Sequence, residues 1–232
     1  MNTTIHRRPA SAVSPSPDRA VATYRPGRPF TAEELQVLES QGVLHRVIAD
    51  VWVPRGACTP PVARAEAAAS LLNHVLRAHG TLCGETAAWV HLGGRAPARV
   101  HVTTDGLFRR PNLSEPTLWQ IHQVPLPRQA HTRVGTVSVT TLERTMEDLF
   151  LGVGVSGCSV ALDAVKQTHE DEPMRRRRHL LHVLLERTGM NTTDLAHRVA
   201  ARSVRSEHRL PQRAQRAEET LSYVSRRLPT VR

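Results

Sequence analysis

The residues whose types and spacing most clearly indicate a chemical role are arginines near the end of the 232-residue chain. Residues 1–173 contain 17 basic and 16 acidic side chains, a net charge of +1, whereas residues 174–232 contain 14 arginines and 5 acidic residues, a net charge of +9. Further arginines follow at intervals of three to four residues between 198 and 216, a spacing that aligns guanidinium groups along one side of a helix. Such a stripe is typical of phosphate binding. The consecutive arginines that open this region are Arg175, Arg176, Arg177 and Arg178.

Two other interpretations of this basic stripe stay open at the level of sequence. The arginines could form a solvated helical face, or they could make intramolecular ion pairs, for example with the acidic residues at 170–172. A platform that stacks single-stranded bases is disfavoured, because no aromatic residue is interleaved before Tyr223. We therefore predict double-stranded DNA as a partner, bound mainly through its phosphates.

Patterns that could support catalysis or metal binding are incomplete. His179 and His182 have a spacing that could place two imidazoles on one metal ion, but no third ligand follows at a fixed distance. Asp163 and Lys166 form the single Asp-x-x-Lys pattern, and it lacks the preceding strand of a nuclease site. The chain also has no P-loop and no Gly-x-Ser-x-Gly motif. We predict no catalytic residue, no metal site and no cofactor.

Cysteine usage and hydropathy indicate a cytoplasmic protein that does not enter a membrane. The three cysteines, Cys58, Cys83 and Cys158, are odd in number and far apart, which predicts buried free thiols in a reducing compartment. The longest uncharged apolar run covers residues 149–162, which is 14 residues. A membrane-spanning helix needs about 20.

The beginning of the chain predicts a disordered arm and a small module. Residues 1–28 are rich in proline and have no apolar periodicity, so we predict that they are disordered. Thr31 and Glu34 form a capping box for a helix that ends at Gly42. Two short β-rich runs, residues 43–47 and 50–53, then predict a hairpin. A helix followed by a hairpin is the last part of a winged helix, so we assign residues 29–57 to a truncated winged-helix-like module.

The rest of the chain predicts an α+β middle domain at residues 62–172 and a basic helical region at 173–232. Together with the first module, these give an α+β fold class. In the middle domain the patterns predict helices at 62–78, 85–91 and 141–150 and strands at 81–83, 99–103, 119–124 and 135–139. Further helices are predicted at 156–169, 175–188, 192–203 and 211–227.

Polar and aromatic residues within these elements have structural and functional interpretations. Glu85, Arg144 and Asp148 lie on otherwise apolar helices, which indicates an ion-pair set, internal or facing a partner, or simply a solvated face. Trp52 and Trp89 lie in apolar patterns and are predicted to be in the core.

Four sequence blocks in this order resemble the AbiEi-like family of actinobacterial proteins, described as type IV antitoxins or transcriptional regulators. They are residues 30–54, the Gly-x-x-Ala-Ala-Trp segment at 82–89, the strand at 98–104 and the Thr-Thr-capped helix at 137–149. The resemblance covers about residues 25–222. It implies a DNA-binding winged-helix region followed by an α+β domain for partner binding or regulation. Many relatives continue into a Vsr-like endonuclease domain, and this chain ends about where that domain would begin.

The incomplete winged helix limits what the first module is expected to do. Only one predicted helix precedes the hairpin, so a recognition helix for the major groove is missing. We predict phosphate contacts from Arg25 and Arg28 in the arm and from His45 and Arg46 in the hairpin.

The predicted function is a non-catalytic, DNA-associated transcriptional regulator or antitoxin of the AbiEi type, with DNA and a cognate toxin as partners. A protein-interaction remnant of a regulator–endonuclease fusion is the main alternative. A nucleic-acid-processing enzyme with an unrecognised site is the third.

Overall fold

A computed structural model of the protein describes residues 21–27, 29–104, 118–156 and 172–204. Within these ranges it contains helices on a mixed five-stranded sheet and a separate two-stranded hairpin. The predicted α+β fold class is confirmed. The arm residues 1–20, Arg28, and the predicted helices at 156–169 and 211–227 lie wholly or almost wholly outside the described residues.

The first module consists of one helix and a hairpin. Helix α1 (Ala32–Ser40) begins with the predicted capping box: Thr31 Oγ1 accepts a hydrogen bond from the Glu34 amide, and the Glu34 carboxylate accepts one from the Thr31 amide. Strands β1 (Leu44–Ile48) and β2 (Val51–Pro54) pair antiparallel.

The chain before this module also contributes to its packing. The backbones of Tyr24 and Trp52 exchange two hydrogen bonds, and the Tyr24 side chain packs against the module's apolar cluster. The packed part therefore begins at least five residues before the predicted boundary at residue 29, because Tyr24 extends the hairpin by a backbone bridge.

The predicted helix at 62–78 is two helices in the structure. Helix α2 (Pro61–Ser70) ends before the buried pair Leu71 and Leu72, and helix α3 (His74–His79) starts again after Asn73. The Asn73 side chain accepts a hydrogen bond of 2.8 Å from the Leu76 amide. Asparagine is a preferred N-cap, so a single residue redirects the chain within an otherwise helical pattern.

The main sheet has the strand order β5-β4-β3-β7-β6. Its strands are β3 (Thr81–Leu82), β4 (Val100–Thr104), β5 (Trp119–Gln123), β6 (His131–Val134) and β7 (Val137–Thr140). Strand β3 lies antiparallel to β4 and parallel to β7, and β4 and β5 are parallel. The polar edge strand β6 was not predicted, because it lacks the apolar alternation of a half-buried strand.

Four helices complete the described fold after the first strand of this sheet. Helices α4 (Gly84–Leu92) and α5 (Leu142–Leu151) follow β3 and β7 directly, and helices α6 (Glu172–Thr188) and α7 (Thr192–Val204) come later in the chain. Apolar residues of α5, α6 and α7 form one buried cluster with Ala88 of α4. The basic helices therefore share a core with the α/β part.

Arginine side chains bind the carbonyl groups at the C-terminal ends of several helices. Arg77 donates to Ala69 and Ser70 at the end of α2, each at 3.2 Å. Arg64 donates to the Val90 carbonyl near the end of α4 at 2.8 Å. Because the last carbonyls of a helix have no partner within the helix, these contacts stabilise each end.

Two glycines bring the start of α4 close to the segment that follows α5. Gly84 has φ of +55°, and a Cβ built on it would lie 2.3 Å from the carbonyl oxygen of Gly154. The Glu85 amide donates to that same carbonyl at 2.8 Å. This close approach requires glycine at position 84.

We expect Gly84→Ala to destabilise the protein by about 2–5 kcal/mol, since it adds overpacking to the cost of a left-handed conformation. Gly94→Ala is the matched control, because Gly94 also has positive φ (+77°) but nothing lies within 4 Å of its added Cβ. That variant should lose only about 1–2 kcal/mol. Urea unfolding of both variants measures the difference, and equal losses would contradict the close contact.

Candidate functional site

A partly buried polar network joins α4 to β4, β5, α6 and the segment that follows α5. Glu85 lies in the first turn of α4, His101 on β4, His122 on β5 and Arg176 on α6, and Ser156 follows α5. His101 Nδ1 lies 3.2 Å from His122 Nε2, and His101 Nε2 lies 3.3 Å from Ser156 Oγ. The Glu85 carboxylate lies 3.2 Å from Ser156 Oγ and 3.9 Å from Arg176 Nε.

The sheet and the glycine contact explain why these residues meet. Strands β4 and β5 are parallel neighbours, and the His101 and His122 rings lie 5.4 Å apart between centroids. The His101 amide donates to Thr86 Oγ1 at 2.8 Å, which ties β4 to α4. The approach of Gly154 to Gly84 then places Ser156 beside Glu85.

Burial shifts the pKa values of two residues in this network, Glu85 and His101. Burial raises the pKa of Glu85, against the opposing effects of the Arg176 charge and the hydrogen bonds from Ser156. His101 has no exposed surface, and burial together with the neighbouring His122 lowers its pKa to about 3. The His101 imidazole is therefore neutral at physiological pH.

The Ser156, His101 and His122 side chains have the spacing of a serine nucleophile with a base and a second imidazole, but the electrostatics do not suit that chemistry. A general base works best with a pKa near the working pH, and the pKa of His101 is about 3. Glu85 also lies within hydrogen-bonding distance of the Ser156 hydroxyl. The arrangement suits a structural network that ties α4, β4, β5 and α6 together. Sequence reasoning missed His101, His122 and Ser156.

A second charged cluster joins α5 to α7. Asp148 Oδ1 lies 2.9 Å from Arg144 Nε and 2.9 Å from Arg202 Nη2, and Asp148 is fully buried. Glu147 Oε1 lies 3.1 Å from Arg198 Nε, and Glu147 Oε2 lies 3.6 Å from Arg202 Nη1. Arg144 and Asp148 thus form an internal ion pair, and the alternative of a solvated face is wrong for both.

Cysteine placement differs in part from the prediction of buried thiols. Cys83 is fully buried at the start of α4, and burial together with the nearby Asp148 raises its pKa well above the usual range, so the thiol stays protonated. Cys58 is exposed, which corrects the prediction for that residue, because it lies in the loop before α2. Cys158 lies outside the described residues.

The predicted hairpin contacts lie at the edge of the first module. The Arg46 guanidinium lies 4.7 Å from the Trp52 ring centroid and 3.2 Å from Glu39 Oε2, and its side chain is 44% exposed. Trp52 is buried and its Nε1 donates to the same carboxylate oxygen at 2.9 Å. His45 is half-buried on β1, and Arg25 donates to the Ser70 carbonyl.

The four consecutive arginines of α6 do not form one surface, because neighbouring residues of a helix point about 100° apart. Arg175 is 60% exposed and pairs with Glu172 at 3.2 Å. Arg176 donates to the Arg95 and Ala96 carbonyls as well as facing Glu85. Arg177 is buried and donates to two carbonyls in the last turn of α5, those of Leu149 and Phe150. Arg178 is half-buried.

The exposed face of α1 has the opposite charge. Glu33, Glu34, Gln36 and Val37 are exposed there, and α1 contains no basic residue. Val43, just after this helix, is also 52% exposed. Phosphate groups are repelled by such a face.

The histidine pair on α6 does not resemble a metal site. His182 lies 3.1 Å from Glu186, and His179 is exposed. Across the described ranges, no group of three or more His, Cys, Asp or Glu side chains is arranged to hold a metal ion. Of the helices in those ranges, none combines the length and hydropathy needed to cross a membrane.

No protein-family model matches this chain, and no curated protein matches it significantly. The resemblance to the AbiEi-like family stays a prediction that rests on the four sequence blocks.

Acidification tests the buried state of His101. The unfolded chain carries an ordinary histidine with a pKa of about 6.5 and so binds a proton between that pH and about pH 3, whereas the folded protein does not. The free energy of unfolding therefore decreases as the pH falls through that window. The contribution of His101 to this decrease is about 2 kcal/mol between pH 7 and pH 5. His101→Gln should remove this loss.

Urea unfolding at pH 7 and pH 5 measures the change for each protein. His182→Gln is the control, because His182 is partly exposed on α6 and pairs with Glu186. The His182→Gln variant should lose as much unfolding free energy between pH 7 and pH 5 as the wild type. The same pH dependence in His101→Gln and wild type would show that His101 titrates normally in the folded protein.

Proposed function

We propose that this protein is a DNA-associated transcriptional regulator or antitoxin of the AbiEi type, cytoplasmic and without catalytic activity of its own. The observation that carries the proposal is the net charge of +9 in residues 174–232. Double-stranded DNA is the proposed partner, bound through its phosphates, and a cognate toxin is the proposed protein partner. The gain in affinity comes from counterions that arginines displace from the duplex.

The burial of individual arginines narrows the proposed contact set. Arg175 and Arg46 are exposed enough to reach a phosphate, at 60% and 44% of the side chain. Arg176 and Arg177 are excluded, because their guanidinium groups bind Glu85 and backbone carbonyls inside the protein. Arg28 lies outside the described residues and stays a sequence-based prediction.

Within the described residues, the cluster of Ser156, His101 and His122 has the spacing of a catalytic site, and its electrostatics support the proposal of a non-catalytic protein. A base with a pKa of about 3 is mostly unable to accept a proton from a serine hydroxyl near neutral pH. A positioned base or a metal is what a hydrolytic site needs to activate its nucleophile. The neutral, buried His101 fits a structural role instead.

A protein-interaction module is the second candidate, and the α1 face favours it. Its exposed glutamates would repel DNA, and together with the exposed Val37 they suit a partner with a basic and apolar surface. A neighbouring gene for a nucleotidyltransferase-type toxin would identify that partner. This candidate becomes the main one if the DNA titration below shows no binding.

We expect the affinity for duplex DNA to fall at least about tenfold between low and physiological salt, because several phosphates are neutralised. Fluorescence anisotropy of a labelled native promoter, titrated at several salt concentrations, measures the slope. A scrambled duplex of equal length should bind with similar affinity if phosphates dominate. Salt-insensitive binding, or no binding at low salt, would overturn the proposal.

Arg46 and its partner Glu39 allow a matched test of the hairpin contact. Arg46→Gln should weaken binding to both duplexes and lower the salt slope by about one, since one phosphate contact is lost. Glu39→Gln should strengthen binding slightly, because it removes the carboxylate that pairs with Arg46 at 3.2 Å. Unchanged affinity in both variants would exclude the hairpin from the interface.

A further inference from the structure

We infer that Arg198 on α7 is an exchangeable phosphate contact, for which Glu147 on α5 competes with DNA, while Arg202 on the same helix stays in place as an anchor. This inference rests on the proposed function and adds the regulation of its binding surface. It follows from how the two arginines differ in burial and in charge balance.

Helix α7 is held against α5 by contacts that do not involve Arg198. Leu195 and Val199 are buried in the cluster shared by α5 and α6. The Arg202 side chain is 19% exposed and lies 2.9 Å from the fully buried Asp148. Breaking a buried ion pair leaves an uncompensated charge, so α7 stays docked.

The pair between Arg198 and Glu147 is of a different kind. Its nitrogen and oxygen lie 3.1 Å apart, but the Arg198 side chain is 48% exposed. The Glu147 side chain is only 11% exposed, but the Arg198 end of the pair faces solvent, where salt screens the attraction. The guanidinium of Arg198 can therefore turn toward a phosphate while the backbone of α7 keeps its position.

The charged cluster of α5 and α7 contains one more cation than anion, and Arg198 is its most exposed arginine. The cluster contains three guanidinium groups, from Arg144, Arg198 and Arg202, and two carboxylates, from Glu147 and Asp148. When Arg198 leaves, two cations still face two anions, and Glu147 keeps Arg202 at 3.6 Å. Loss of Arg198 to DNA leaves no buried carboxylate without a counter-charge.

Glu147→Gln tests the competition, because glutamine has nearly the same shape but no charge. Glu143→Gln is the matched control: it lies one turn earlier on α5, changes the net charge equally, and Glu143 forms no ion pair with Arg198 or Arg202. Duplex affinity is measured by anisotropy at one fixed salt concentration. Glu147→Gln should bind about two- to fivefold more tightly than Glu143→Gln.

Arg198→Gln completes a double-mutant cycle with Glu147→Gln. The cycle separates the competition from small changes in the free energy of unfolding. This variant should bind more weakly than wild type, with a salt slope lower by about one. Two double variants combine Arg198→Gln with either Glu147→Gln or Glu143→Gln. They should bind the duplex with equal affinity, because the arginine for which Glu147 competes is absent from both. Urea unfolding of each variant checks that it is folded.

The outcomes separate this inference from the function on which it rests. Duplex binding with equal affinities for Glu147→Gln and Glu143→Gln would overturn the competition and leave the proposed function in place. An unchanged salt slope in Arg198→Gln would do the same. Failure of wild type and every variant to bind the duplex at low salt would overturn both.

Discussion

The buried carboxylate of Asp148 is the group on which the arrangement of the C-terminal helices depends. It has no exposed surface, and it meets Arg144 from its own helix and Arg202 from α7. An uncompensated buried charge is costly by several kcal/mol, so the Asp148 carboxylate is stabilised in the core by these guanidinium groups. The ion pair and the apolar contacts of Leu195 and Val199 together hold α7 against α5 and α6.

Other arginines donate hydrogen bonds to backbone carbonyl groups at the ends of helices. The end of α5 is bound by Arg177, the end of α4 by Arg64 and the end of α2 by Arg77. A guanidinium group suits this task because it presents several donors in a rigid plane. A chain with a single lysine among 31 basic residues therefore uses part of its positive charge to hold its own helices together. Net charge alone overstates the charge that faces a partner.

Sequence patterns predicted the features that depend on neighbouring residues. They did not predict the burial or the contacts that depend on residues far apart in the chain. The cap at Thr31, a threonine cap at position 140 or 141, and the burial of Trp52 and Trp89 were predicted, because a cap or an apolar pattern is visible within a few residues. The structure identifies Thr141 as the second cap. The burial of Arg177 depends on carbonyls 27 and 28 residues away, and it could not be deduced from a basic run. The contact of His101 with His122 depends likewise on the parallel pairing of β4 and β5.

Two ion pairs whose arginine is about half exposed place the same limit on the proposed binding to DNA phosphates. Arg46 on β1 faces Glu39 on α1, and Arg198 on α7 faces Glu147 on α5. A phosphate that takes either arginine must replace an internal carboxylate, so the affinity gained is the difference between two ion pairs. Glu39 and Glu147 therefore oppose the proposed phosphate contacts of Arg46 and Arg198.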